Sequence, residues 1–146
     1  MHMIRKAEEA LERSARQGSM HPTDFRCIGY LKLQNVPVSP KDIITYLGLT
    51  SGAGTALLDR LEASGFIQRM RNPEDRRSVL IVLNLEAAAE PVALHEHIGQ
   101  KYHAAIENLS DENLHAIATY LERIEQLSEE INDALYDNKV PISAVS

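Results

Sequence analysis

Residues 49–83, LTSGAGTALLDRLEASGFIQRMRNPEDRRSVLIVL, contain the pattern that decides the fold. Thr50 is a suitable N-cap for a helix, and Gly65 is placed to end that helix. Phe66–Arg71 and Val79–Leu83 are rich in residues that favour a pleated sheet. The polar segment between them has the composition of a turn. The stretch therefore predicts a helix followed by a β-hairpin with a basic tip.

The helix of this stretch has one apolar side and one side of small or polar residues. At 100° per residue, the side expected to pack on preceding helices comprises Gly54, Leu57, Leu58 and Leu61. The opposite side comprises Gly52, Thr55, Ala56 and Asp59. Ser51 lies at the helix N-terminus, where unpaired N–H groups favour phosphate. Such a helix beside an arginine-bearing hairpin fits a nucleic-acid duplex, because the helix suits the major groove and the hairpin reaches a neighbouring minor groove or phosphates.

Two further helices are predicted before this stretch. Pro22 suits the first turn of one helix, and Ser39 followed by Pro40 suits the start of the next. Gly48 and Leu49 then form a tight turn into the helix that Thr50 caps. This arrangement predicts a helix-turn-helix.

The segments LLDRLEASGFIQR at 57–69 and NPEDRRSVLIVL at 72–83 resemble the signature of the MarR family of winged helix-turn-helix regulators. Asp75-Arg76-Arg77 matches the DxR element of that family's wing, and the resemblance extends over roughly residues 20–135. It implies a mainly α fold with a small β wing (α+β), with N- and C-terminal dimerisation helices around the winged helix-turn-helix. It also implies a short edge strand from Val36–Val38.

The resemblance implies roles for the wing residues. Arg77 is expected to enter the minor groove with Asp75 holding its guanidinium, and Arg76 is expected to contact phosphate. The family often has a basic residue where this chain has Ala56, so a guanine contact from that position is absent, although Ala56 can touch a thymine methyl. For Arg60 two roles stay open, an ion pair with an acidic residue of the wing or a contact with phosphate. The complete set expected at the DNA is Ser39, Lys41, Thr50, Ser51, Gly52, Thr55, Ala56, Arg60, Arg69, Arg71, Asp75, Arg76 and Arg77.

The expected function is that of a sequence-specific transcriptional regulator, a homodimeric and ligand-responsive repressor on a palindromic operator. The predicted organisation is an N-terminal dimerisation helix (1–20), a DNA-binding domain (21–85), C-terminal dimerisation helices (86–137) and a tail (138–146). An apolar seam supports the dimer, with spacing close to that of a coiled coil. Its residues are Leu114, Ile117, Leu121, Ile124, Ile131 and Leu135, with Ser128 as a polar interruption. The resemblance also implies an effector pocket, and the residues expected to line it are Arg16, Tyr30 and Tyr102.

Charge and composition agree with this reading. The chain has 146 residues and a formal net charge of −6. Residues 1–85 carry 12 Lys and Arg against 9 Asp and Glu, whereas residues 86–146 carry 3 against 12. The basic balance therefore lies with the proposed DNA-binding half. Apolar runs are too short for a membrane helix, the N-terminus does not have the pattern of a secretory signal, and one cysteine fits a reducing cytoplasm.

Other chemistries have weaker support. Cys27 is expected to be a core thiol, with a redox sensor as the alternative. A metal site, or a metal-sensing or enzymatic role, is suggested by His95, His97 and His103. However, no two of these histidines have the i, i+4 spacing of helical zinc ligands. We therefore predict no enzyme activity, no cofactor and no metal. The second functional hypothesis is a winged-helix protein-interaction module with weakened DNA binding, motivated by Ala56 and the acidic balance.

Overall fold

The computed structural model describes residues 2–136, without the side chains at positions 2–4, 7, 8, 17 and 136. The predicted tail at 138–146 lies outside that description. So do the side chains of Ile4 and Ala7, which helical spacing in the sequence predicts to form an apolar stripe on the first helix with Leu11 and Ala15. The elements in chain order are α1 (His2–Gln17), α2 (Pro22–Gln34), α3 (Pro40–Leu47), α4 (Ser51–Ala63), β1 (Ile67–Arg71), β2 (Val79–Leu83), α5 (Ala89–Ile106) and α6 (Asp111–Tyr136). This is the mainly α fold with a small β wing that the sequence predicted.

Local capping explains where the middle helices begin and end. The Ser39 hydroxyl accepts the N–H of Asp42 at 3.1 Å, and the Thr50 hydroxyl accepts the N–H of Ala53 at 3.3 Å. Gly48 has φ +64° and Gly65 has φ +78°, a left-handed conformation that glycine adopts without steric cost. The turns on both sides of α4 therefore follow from the residues predicted to make them.

The wing is an antiparallel hairpin in which Ile67 pairs with Leu83 and Arg71 pairs with Val79. Val38 joins its edge through two backbone hydrogen bonds with Ile81, of 3.0 and 2.8 Å. The short edge strand implied for Val36–Val38 is therefore present as a single bridge.

The core lies between α2, α3, α4 and the wing. Its buried side chains come from these elements, from the connector that precedes α3, and from the start of α5 and the residue before it: Cys27, Ile28, Leu31, Val38, Ile43, Leu47, Leu57, Leu58, Leu61, Ile67, Ile81, Ala88 and Val92. Gly54 is also buried, and a Cβ built on it would lie 2.6 Å from Cδ1 of Ile44. The close approach of α3 and α4 therefore depends on the missing side chain at position 54.

The chain divides into two compact units, residues 1–100 and 101–146. Within the second unit, the Ser110 hydroxyl accepts the N–H of Asn113 at 3.3 Å and so caps the N-terminus of α6. Large apolar side chains of α6 are exposed: Ile117, Tyr120, Leu121, Ile124, Ile131 and Leu135. No helix among residues 2–136 is long and apolar enough to cross a membrane.

Candidate nucleic-acid interface

The N-terminal half of α4 presents the side that the sequence assigned to a groove. Ser51, Gly52, Thr55 and Ala56 are exposed, whereas Leu57 on the other side is buried. The hydroxyl of Thr55 donates to the carbonyl of Ser51 at 2.9 Å and keeps its acceptor capacity for a partner outside the chain. The first N–H groups of α4 also point out of the helix end, as any α-helix requires. This end therefore offers both donors and small contact groups to a duplex.

The wing tip is held in shape by hydrogen bonds within the loop. The N–H of Asn72 donates to the carbonyl of Ser78 at 3.1 Å, and the side-chain oxygen of Asn72 accepts the N–H of Glu74 at 3.0 Å. The carboxylate of Asp75 accepts the N–H of Arg77 at 3.0 Å, a local turn in which the side chain caps the backbone. The loop is therefore ordered without the use of any guanidinium group.

The contact that Asp75 makes in this structure differs from the one that the resemblance implies at DNA. The sequence resemblance implied that Asp75 holds the guanidinium of Arg77, but the structure shows the carboxylate on the backbone N–H of that residue. The physical reason is that an Asx turn brings the carboxylate back to the main chain within two residues. Asp75 therefore fixes the loop that carries Arg77, and does not contact its side chain.

Three arginines of the wing are available for contacts outside the chain. Arg71, Arg76 and Arg77 are exposed, and within residues 2–136 none of their guanidinium groups has an ion-pair or hydrogen-bond partner. An unpaired, exposed guanidinium group can bind a phosphate and displace the counterions condensed on the nucleic acid. It does so without first breaking an ion pair within the protein. These residues are the strongest candidates for phosphate or minor-groove contacts.

Two other arginines expected at the DNA are already bound within the chain. Arg60 Nε donates to Asp24 Oδ2 at 2.8 Å, and its Nη2 donates to the other carboxylate oxygen. Arg69 Nη2 donates to Asp59 Oδ1 at 2.6 Å, and its Nη1 donates to Glu62. Hydrogen bonds with these carboxylates raise the pKa of both arginines.

The partner of Arg60 is one that neither sequence-based alternative named. Asp24 lies on α2, is only 6% exposed, and ties that helix to α4. No local pattern around Asp24 signals this role, because its partner is 36 residues away. The pairing of Arg69 with the carboxylates of Asp59 and Glu62 was not predicted from the sequence either. The i, i+3 spacing of these two acidic residues on one helix face was a usable signal for it.

The remaining expected contacts lie at the start of α3. Ser39 caps the helix, and its hydroxyl donates to Asp42 Oδ2 at 2.7 Å while it accepts the N–H of Asp42. Lys41 is exposed in the first turn. Ser39 is therefore engaged within the chain, whereas Lys41 remains open to solvent.

The expected effector-pocket residues are not brought together in the first unit. Tyr30 stacks on Tyr46 with ring centroids 4.0 Å apart, and both line a cavity of about 530 Å³ with Arg26 and Lys32 at its rim. Arg16 does not line that cavity, because it lies on the exposed side of α1 and pairs with Glu12 at 3.5 Å.

A second cavity of the first unit, of about 570 Å³, lies beside Phe25, Phe66 and Leu94, and Arg16 does not line it either. Tyr102 belongs to the second unit and is 58% exposed. On α1, Ala15 is buried whereas Arg16 is exposed, and the grouping of Arg16, Tyr30 and Tyr102 in one effector pocket stays a prediction.

Cys27 is fully buried, as the core-thiol prediction required. Burial and, to a smaller extent, the nearby charge of Asp24 together raise the pKa of its thiol to about 12. The reactive thiolate is therefore scarce at neutral pH, which is unfavourable for redox sensing.

His95 packs inside the first unit. Its ring stacks on Phe25 with centroids 3.7 Å apart, and its Nε2 lies 2.6 Å from the Phe25 carbonyl oxygen. Burial lowers the pKa of His95, and the hydrogen bond to that carbonyl partly offsets the effect. Among residues 2–136, no three His, Cys, Asp or Glu side chains are grouped as metal ligands.

Comparison with known proteins agrees with this geometry. Residues 21–79 match the model of the MarR family. The multiple antibiotic resistance protein MarR of Salmonella typhimurium is 33% identical over 88 residues, which are 60% of this chain and 61% of that protein. The match thus spans about three fifths of the length of that relative.

Solved structures share the fold. The crystal structure of wild-type MarR from E. coli in its apo form has a TM-score of 0.61 and 24% identity, covering 84% of this chain and 92% of that chain. A mutant E. coli MarR complexed with operator DNA has a TM-score of 0.60 and 24% identity, covering 84% and 89%. At this identity the likeness bears on the fold alone. The family match and the sequence relative lead to a conclusion about one part of the chain: residues 21–79, which form most of the winged helix-turn-helix, are similar to the MarR family.

Proposed function

We propose that this protein is a sequence-specific DNA-binding transcriptional regulator, and not an enzyme. The observation that carries the proposal is the exposed N-terminal half of α4 beside a wing whose Arg71, Arg76 and Arg77 have no partner within residues 2–136. Unpaired guanidinium groups beside a small-residue helix face suit phosphate contact and groove entry at the same time. The operator complex of the E. coli relative supports the assignment.

The proposed contacts divide between two grooves. The N-terminal half of α4 enters the major groove, where its free N–H groups meet phosphate and Ala56 meets a thymine methyl. The wing tip enters the neighbouring minor groove, where Arg77 responds to groove width and negative potential. Lys41 and Arg71 contact the phosphate backbone. Sequence preference therefore depends on α4, and much of the affinity depends on the wing.

We further propose a homodimer on a palindromic operator. Within the second unit, α6 exposes a run of apolar side chains that water does not favour, and a second copy of the chain would cover them. Residues 1–20 and 86–137 are the proposed dimerisation helices, residues 21–85 the DNA-binding domain and residues 138–146 a tail. Two symmetric copies place two α4 helices on half-sites one helical turn apart.

The proposed control is release of the operator by a small molecule. The cavity that Tyr30 and Tyr46 line in the first unit touches α3, the helix that packs directly on α4. A ligand that favours one arrangement of these helices would change the spacing of the two α4 helices, and the protein would act as a ligand-responsive repressor in the cytoplasm.

Selection of duplexes from a random library, followed by titration of the recovered sequence, tests the proposal. We expect tight, salt-sensitive binding to a palindrome and much weaker binding to a scrambled duplex. Arg77→Ala should weaken palindrome binding roughly tenfold, the range expected for one lost arginine contact. The matched control is Arg13→Ala, which removes the same charge from an exposed site on α1, outside the residues proposed to contact DNA; both variants are first checked for an unchanged oligomeric state. Weak, equal binding to every duplex would refute sequence-specific recognition.

A protein-interaction module on the same fold is the second candidate. It is favoured by the internal pairing of Arg60 and Arg69 and by the absence of a basic side chain at Ala56. If wild-type protein and Arg77→Ala bind all duplexes with the same weak affinity, this candidate replaces the first.

A further inference from the structure

Arg69 links the wing to α4 through both ends of its guanidinium group. It extends from β1 and reaches Asp59 at 2.6 Å with one nitrogen and Glu62 with another. The two carboxylates stand three residues apart on one helix face, so one planar fork can satisfy both. The side chain of Arg69 is 29% exposed, less than either carboxylate. The group is therefore held on the helix and is not extended toward solvent.

Arg71 provides the comparison on the same strand. It lies two residues further along β1, and because strand side chains alternate, it shares a face with Arg69. Its backbone pairs with Val79 next to the wing tip, and its guanidinium has no partner within the described part of the chain. Two arginines on one strand face thus have different surroundings, one bound to α4 and the other free.

We propose that Arg69 is a positioning residue that braces the wing against α4, while Arg71 contacts phosphate. The inference rests on the proposed function, because it concerns how the two DNA-contacting parts are held at one spacing. The brace has a second effect: Asp59 is exposed on the groove side of α4, and an uncompensated carboxylate there would repel the duplex. Arg69 therefore fixes the geometry of the wing and neutralises one of the two carboxylate charges that this face of α4 carries.

The two roles predict different patterns of binding. Loss of a phosphate contact weakens operator and non-operator duplexes alike, because phosphate carries no sequence information. Loss of the brace leaves both α4 and the wing able to contact DNA, but the distance between them is no longer fixed. Operator binding then falls more than non-operator binding, and the ratio of the two affinities decreases.

The test uses the full chain with a selected operator and a scrambled duplex of equal length. Arg71→Met should weaken binding to both duplexes by similar factors and reduce the slope of log K against log salt by about 0.9. Arg69→Met should weaken operator binding several-fold more than scrambled binding. Equal losses on the two duplexes for Arg69→Met, or no loss on either, would overturn the proposal.

A double-mutant cycle isolates the pairing with α4. In the Asp59→Asn/Glu62→Gln background, Arg69→Met should cost little further affinity, since its partners have lost their charge. Arg71→Met should cost the same in that background as in the wild type. If Arg69→Met costs as much operator affinity in this background as in the wild type, Arg69 contacts DNA directly and the brace is refuted.

Arg69→Lys keeps the experiment decisive if the methionine variant folds poorly. Lysine retains the charge and can meet phosphate, but it lacks the planar fork that spans two carboxylates. We expect normal binding to the scrambled duplex and reduced operator preference, whereas full recovery of operator preference would contradict the brace. If the wild-type protein itself shows no operator preference, the proposed function fails first, and that failure is distinct from any result with the variants.

Discussion

The contact between α3 and α4 can be tested by adding one methyl group at Gly54. A Cβ at this position would lie 2.6 Å from Cδ1 of Ile44 and closer still to its Cγ1, so side chains or helices must shift. Forcing extra volume into a packed site costs about 1–3 kcal/mol. Alanine recovers up to about 1 kcal/mol through better helix propensity. Gly54→Ala should therefore lower the free energy of unfolding by about 0–2 kcal/mol, the difference between these two effects.

Gly52 provides a matched control on the same helix. A Cβ there would meet nothing within 4 Å, so Gly52→Ala should raise the free energy of unfolding by about 0.4–1 kcal/mol. Urea unfolding of both variants at one fixed protein concentration gives the comparison, because association would otherwise shift the midpoints. The midpoint of Gly52→Ala should rise, whereas the midpoint of Gly54→Ala should fall or stay unchanged. If Gly54→Ala is as stabilising as Gly52→Ala, the close approach of α3 and α4 is wrong.

Three further perturbations follow from the buried groups. Cys27 should resist iodoacetamide in the native protein and react fully in urea, since burial raises its pKa to about 12; rapid native alkylation would contradict its burial. Burial lowers the pKa of His95 below its usual 6.5, so below that pH the unfolded chain binds the proton more readily and the native state loses stability. The advantage of wild type over His95→Phe in urea unfolding should therefore shrink as pH falls from about 7.5 to 5, and a constant difference would argue against the buried ring. Arg60→Met should reduce the free energy of unfolding by about 1.5–3 kcal/mol, because the buried carboxylate of Asp24 loses its charged partner; a loss no larger than that of Arg13→Met would show that the pair contributes little.

The sequence predicted those features that depend on neighbouring residues. Caps at Ser39 and Thr50 and the left-handed turn at Gly48 are short-range properties, and the structure has them at the predicted positions. The apolar side of α4 followed from helical periodicity alone. The hairpin after α4 followed from strand and turn composition, the MarR resemblance added the short edge strand beside it, and both are present.

The partners of the charged side chains could not be predicted in the same way. Arg60 and Asp24 are 36 residues apart, and their contact exists only once α2 and α4 have packed. Arg69 was assigned to DNA from its place in a basic hairpin, yet the helix that precedes the hairpin supplies its two carboxylates. A count of basic residues therefore overstates how many of them are free, since the fold decides which charges are already paired.

Footprinting of the bound operator tests the central claim, that α4 and the wing occupy adjacent grooves. Dimethyl sulfate reports guanine N7 in the major groove, and hydroxyl radicals report the sugars that line the minor groove. Wild-type protein should protect major-groove guanines in each half-site and minor-groove sugars beside them. With Arg76→Ala/Arg77→Ala, the minor-groove protection should disappear while the major-groove protection remains at saturating protein. An unchanged footprint, or loss of both protections together, would contradict the division of contacts between α4 and the wing.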